Sequence, residues 1–233
     1  PVSGTNNEKK MRNSREFASM SCVALLLVLS TQSLAQESLA PTLPQITRVD
    51  QDAANITVDG FIDEEIWKDL PVIDGMKVTD PDTLADAPYE THVRFFYTER
   101  GIYLSAMNFQ PKETLMARMT SRDTRLERDG FVVAIDASGE GLYGFLMRIN
   151  LGNSLTDATL LPERILNIQW DGPWLARTQA LENGWSAEYF IPWSMMPLPQ
   201  VEGARKLGFY FERQVGHLQG ETWSNPPLPR TVN

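Results

Sequence analysis

Apolar residues in this chain recur mainly at every second position, in short runs broken by Gly, Asn, Asp and Pro. A period of two is the signature of half-buried strands rather than helices. Residues 91–97 (THVRFFY) and 102–108 (IYLSAMN) read as two strands joined at Thr98-Glu99-Arg100-Gly101. Gly101 stands where a turn favours positive φ, so the pair predicts a hairpin. Residues 131–136 (FVVAID) form an apolar run of buried-strand type, and 144–150 and 154–160 pair around Leu151-Gly152-Asn153. Residues 174–181 and 185–191 flank Glu182-Asn183-Gly184, whose Asn-Gly is the strongest short hairpin signal in the chain. A short strand at 55–58 and a late one at 206–215 complete the set.

Helical signals are few. Residues 63–70 fit one short helix, with Asp63 as N-cap and Glu64 and Glu65 at the positive helix end. Pro192 in a first-turn position predicts a second short helix over 192–196. Many short strands at regular spacing with few helices predict an all-β fold, an antiparallel β-sandwich of immunoglobulin or jelly-roll type with one or two short helices. No internal repeat or interdomain linker interrupts it.

The ends read differently. Met11 resembles an initiator, followed by Arg12 and Arg15, an apolar run from Cys22 to Leu29, and the small-residue site Ser33-Leu34-Ala35. That layout predicts a secretory signal peptide over residues 1–35, upstream residues included. The run falls short of the ~20 apolar residues of a spanning helix. Residues 36–50 then form an extended lead-in, 51–224 the sandwich, and 225–233 (NPPLPRTVN) a Pro-rich tail or the start of a further domain. Export places the chain in the periplasm, at the outer membrane or outside the cell.

Charge and cysteine usage narrow the chemistry. The net charge is −9. Without residues 1–35 there remain 17 basic and 28 acidic side chains, about −11. That disfavours nucleic acid and anionic membranes as partners. Cys22 is the only cysteine and lies in the predicted signal, so disulfides, thiolate nucleophiles and Cys-based metal sites are excluded from the exported part. The two histidines, His92 and His217, carry no recognised catalytic or metal spacing. The acidic turns Asp80-Pro81-Asp82 and 59–63 are compatible with calcium, though solvated turns are the commoner explanation. No catalytic residue is assigned.

Several blocks occur in a telling order: Val58-Asp59-Gly60-Phe61-Ile62-Asp63-Glu64-Glu65-Ile66-Trp67; 96–104 (FYTERGIYL); Arg122-Asp123 and Asp129 ahead of 132–136 (VVAID); 184–193 (GWSAEYFIPW); and 207–213 (LGFYFER). Together they resemble the family 9 carbohydrate-binding modules over most of the chain. Trp170-Asp171-Gly172-Pro173-Trp174 resembles the tryptophan-rich stretch of bacterial exported members, in which the domain precedes an outer-membrane β-barrel. The resemblance implies a non-catalytic domain that binds an oligo- or polysaccharide, accessory to polysaccharide breakdown by a larger protein. The alternative is a structural or interaction domain ahead of a barrel, with no sugar ligand.

Sugar binding needs flat aromatic faces against ring C–H groups and planar polar groups on the hydroxyls. Trp67 follows Asp63 by four positions and reads as a core anchor; Trp185 alternates with Ala187 and Tyr189 and reads as inward-facing. Trp170 and Trp174 flank a turn and are the stacking candidates, with a structural role as the competing reading. Trp223, beyond the last predicted strand, is placed to close one side of a pocket. Arg122 and Asp123 before a buried strand, and Arg148 within one, are the polar candidates; Glu212 and Arg213 are also mid-strand charges. A charge on a sheet face must be paired or meet solvent or ligand, so sheet-stabilising ion pairs are the alternative for these residues.

Overall fold

The computed structural model describes residues 45–119, 127–162 and 165–228. Strands are numbered along the chain. β1 (Thr47–Arg48), β3 (Thr91–Tyr97), β4 (Gly101–Phe109), β9 (Leu175–Leu181) and β10 (Gly184–Pro192) make sheet A, in the order β1-β3-β4-β10-β9. β2 (Lys77–Asp80), β5 (Gly130–Asp136), β6 (Gly144–Asn150), β7 (Leu155–Leu161), β8 (Ile165–Asn167), β11 (Gly208–Val215) and β12 (Glu221–Asn225) make sheet B, in the order β2-β12-β11-β5-β6-β7-β8. Only the β1–β3 pair is parallel. The all-β sandwich read from the periodicity is the architecture observed. The expected signal peptide and most of the lead-in lie outside the described residues, as do 229–233.

Period-two patterning builds the core. Val93, Ile102, Leu104, Ala106, Trp185, Ala187, Tyr189 and Ile191 of sheet A meet Phe131, Val133, Ile135, Met147, Ile149 and Phe211 of sheet B. The Tyr189 hydroxyl crosses the layer and donates to the Phe131 carbonyl at 2.8 Å. One end of the layer is bound by Arg213, which is fully buried. Its two terminal nitrogens donate to the carbonyls of Glu90 (3.0 Å) and Phe109 (2.8 Å), to Thr91 Oγ1 (2.9 Å) and to Gln110 Oε1 (2.9 Å). The guanidinium also lies 4.9 Å from the Trp223 ring centre. A charge this deep is tolerated because carbonyl dipoles and a ring face replace its water.

Sheet A is buried on both faces at β4 and β10, as sheet B is at β5. Its outer face is covered by residues 49–70, which act as a strap. Trp67, Leu70 and Ala54 form a second apolar cluster there with Phe96 and Tyr103. The Trp67 and Phe96 rings lie 5.3 Å apart, so Trp67 is a core anchor.

The strap is fixed by one carboxyl. Glu188 is fully buried, and its Oε2 accepts the backbone N–H groups of Asp59 (3.2 Å) and Gly60 (2.9 Å). Ser186 Oγ donates back to the Gly60 carbonyl at 2.6 Å. Gly60 has φ +95°, and a Cβ there would stand 2.8 Å from the Thr178 carbonyl carbon of β9. Only glycine fits both demands.

Local expectations fared unevenly. Residues 55–58 form no strand, and the predicted helix over 63–70 is a 3₁₀ turn, Glu65–Asp69. Asp63 does not cap it. Glu64 Oε2 instead accepts Trp67 Nε1 at 2.9 Å, and Glu64 Oε1 accepts Thr57 N–H at 3.1 Å. Docking of the flat Trp67 ring selects the tighter turn over a full helix. Pro192 does lead into a short helix, the 3₁₀ turn Trp193–Met195. The hairpin at Thr98–Gly101 forms, but Gly101 is not in the positive-φ region; a Cβ there would press on the Ile191 carbonyl of β10. β2 and β12 were not predicted, because each is short and is held by its neighbours in the sheet, β2 by β12 and β12 by both β2 and β11.

Two outcomes follow from the strap. Gly60→Ala lowers stability, by about 1–3 kcal/mol from the backbone conformation alone, read as a lower midpoint in urea unfolding. Burial, with the nearby charges of Glu64 and Asp59, pushes the Glu188 carboxyl up to about 8 from its ordinary 4.5. The folded state therefore holds a proton that the unfolded state releases. This stabilisation is complete below the unfolded value and is lost as pH rises through the folded one. Melting temperatures from about pH 5 to about pH 9 fall further for the wild type than for Glu188→Gln.

Candidate functional site

With the strap over sheet A, the outer face of sheet B is the other sheet surface to consider; there β5 is buried on both faces, and partly exposed side chains stand on the flanking strands β6 and β11. Its side chains follow from strand alternation. Phe131, Val133 and Ile135 point into the core, so Val132 and Ala134 face outward on β5. By the same parity Arg148 faces outward on β6, and Tyr210, Glu212 and Gln214 do so on β11. The register sets Glu212, Val132, Arg148 and Thr156 side by side in one row across four strands.

Arg148 and Glu212 reach toward each other over the small Val132 side chain. Arg148 Nη2 donates to Glu212 Oε1 at 2.9 Å, with the two side chains 26% and 21% exposed. The Tyr210 hydroxyl donates to Glu212 Oε2 at 3.0 Å. Arg148 Nε is buried and has no hydrogen-bond partner. Arg128 lies close enough that its guanidinium is pushed down, first by burial and then by the positive charge of Arg148. The face thus presents a partly wet guanidinium–carboxylate–phenol group, with Val132 buried beneath it. Planar forks of this kind grip pairs of hydroxyl oxygens in fixed geometry. Among the described residues no group of three or more His, Cys, Asp or Glu side chains comes together to hold a metal ion.

Three solved structures resemble this one. A family 9 carbohydrate-binding module from Caldicellulosiruptor kristjanssonii in complex with cellotriose matches at TM-score 0.54 and 16% identity, over 77% of this chain and 83% of that one. A family 9 module from the same organism in complex with glucose matches at 0.53 and 15%, over 76% and 85%. A candidate carbohydrate-binding protein from Bacteroides uniformis matches at 0.61 and 14%, over 81% and 91%. This chain has the fold of the family 9 modules. At such identities the likeness is one of fold. No family model matches the chain, and no curated protein does.

Within the family 9 fold, the residues singled out from the sequence do not converge. Trp174 is not a stacking platform: it is 3% exposed, and its ring stacks on Tyr189 at 5.9 Å. Its Nε1 donates to Asp157 Oδ2 at 3.0 Å, and the same oxygen accepts Gly172 N–H at 2.7 Å. The Asp-Gly-Pro turn is thereby tied down, and Trp174 goes into the core with it. Trp223 does not wall a pocket either: it is fully buried on β12 between Arg213 and Tyr89. Trp170 is half-buried, with its ring 5.0 Å from Phe145 at the core margin. Arg122 and Asp123 lie outside the described residues. Arg148 alone of the set stands on the open face.

Tyr210 and Arg128 were not singled out; the Arg148–Glu212 pair is of the sheet ion-pair kind given as the alternative for these mid-strand charges. The alternation Phe209-Tyr210-Phe211-Glu212-Arg213 carried a signal: it splits Tyr210 and Glu212 to one face and Arg213 to the other. Urea unfolding tests the reassigned tryptophans. Trp174→Ala costs about 3–5 kcal/mol, as expected for a core ring, whereas Trp170→Ala costs distinctly less.

Proposed function

We propose that this chain is a non-catalytic carbohydrate-binding domain whose ligand lies on the outer face of sheet B. The observation that carries the reading is the outward row of Glu212, Val132 and Arg148, with Tyr210 beside it, in a fold shared with modules solved with cellotriose and glucose. A neutral oligosaccharide suits a chain of net charge −9. In this reading Arg148 and Glu212 grip hydroxyls and Tyr210 offers a ring edge. Arg122 and Asp123, shortly before β5 in sequence, complete the polar set in this reading. The signal-like layout of residues 11–35 supports export, and an accessory role in polysaccharide breakdown fits an exported binding domain. Among the described residues no helix is long and apolar enough to cross a membrane.

A second reading is favoured by one observation: Trp67, Trp174, Trp185 and Trp223 are all buried. The domain then has a structural or interaction role in front of an outer-membrane barrel, without a sugar ligand. Calorimetric titration with cello- and xylo-oligosaccharides separates the two. The binding reading expects saturable heat, and expects Arg148→Met and Glu212→Gln each to weaken affinity at least tenfold, about 1.4 kcal/mol. Absence of heat across a broad glycan panel would favour the structural role.

A further inference from the structure

The strap leaves part of sheet A's outer face uncovered. Beside it lies a cleft of about 320 Å³, lined by Phe61, Ile62 and Asp63 of the strap and by Arg94, Met107 and Ser186 of the sheet. Its walls are mainly apolar, and the Phe61 ring is 43% exposed. Arg94 Nε is buried there without a hydrogen-bond partner. Two neighbours share this condition: Ser105 Oγ and Glu188 Oε1 are unpartnered on residues with no exposed surface. The register sets Arg94, Ser105 and Glu188 in one row across β3, β4 and β10. An unmet buried polar group costs about 1–3 kcal/mol; of the three, Arg94 is the one whose side chain lines the cleft, so it is the group for which an occupant there supplies a hydrogen-bond partner.

We propose that this cleft is a second binding site, on the opposite side of the sandwich from the Arg148–Glu212 face, and that it takes one neutral sugar ring. The chemistry selects such a ligand. A hydroxyl both donates and accepts, and so answers both the Arg94 guanidinium and the Asp63 carboxylate of the lining. Arg94 and Asp63 are of opposite sign, so neither an anion nor a cation meets a uniformly favourable field. The apolar walls and the open Phe61 ring suit the C–H face of a pyranose. The size lies at the low end of the roughly 300–1,000 Å³ range of ligand pockets, which fits one or two rings rather than a long chain. The inference stands apart from the sheet B reading, because the two sites share no residue.

The test uses the full chain with isotope-labelled methionine methyl groups. Met107 lines the cleft, and its methyl signal, assigned through Met107→Leu, is followed while D-glucose, D-xylose and cellobiose are each titrated into the millimolar range. The expected result is a saturable shift of the Met107 signal with at least one sugar. It persists in Arg148→Met and is lost in both Arg94→Gln and Phe61→Ala. Should Arg94→Gln fail to fold, Phe61→Ala, altering an exposed ring, decides by itself. No saturable shift with any of the three sugars overturns the proposal. So does a shift that survives Phe61→Ala, or one that disappears in Arg148→Met.

Discussion

A single buried carboxyl organises this molecule. Glu188 receives the Asp59 and Gly60 N–H groups and so holds the strap across sheet A. Without the strap, Phe96 and Tyr103 would face water on the outside of the sheet, and Trp67 would have no seat. The strap therefore turns a two-layer sandwich into a three-layer packing on one side. On the other side, sheet B carries the partly exposed Arg148 and Glu212 on its outer face. Burial favours the protonated carboxyl while two N–H donors favour the charged one, and the burial effect is the larger.

The open side is organised from below. Arg213 and Glu212 are adjacent in sequence and point to opposite faces of β11. Arg213 ties that strand to backbone carbonyls at the β3 and β4 ends, which positions Glu212 and Tyr210 above the sheet. On the neighbouring side, β5 supplies only Val132 and Ala134, small enough for Arg148 to reach Glu212 across them. The rigidity of the polar group thus comes from the core. Such preorganisation lowers the ordering cost of binding.

How much of this was legible depends on the range of the interaction. Alternation along residues 91–108 and 175–191 predicted both hairpins, because strand pairing across a tight turn is a local matter. The Trp67 anchor was legible too, since an aromatic after a Gly turn and an acidic segment has few other uses. β2 and β12 were not, because each exists only through its partner strand. Trp174 and Trp223 were misjudged for a related reason. A turn or a chain end looks exposed in sequence, but Asp157 and Arg213, each on a different strand from the ring it holds, draw these rings inside.

The sequence by itself determined the layers: period-two patterning and turn chemistry dictate which residues can be strands and which face of each must be buried. It also carried both halves of the strap lock, Asp59-Gly60 and Glu188, as separate blocks, without revealing that they touch. Only the tertiary structure decided which outward faces remain open, which tryptophans turn inward, and which charges meet. Those outcomes depend on strand register and on contacts between different strands, some between residues more than a hundred positions apart, and no local pattern encodes a distance of that kind.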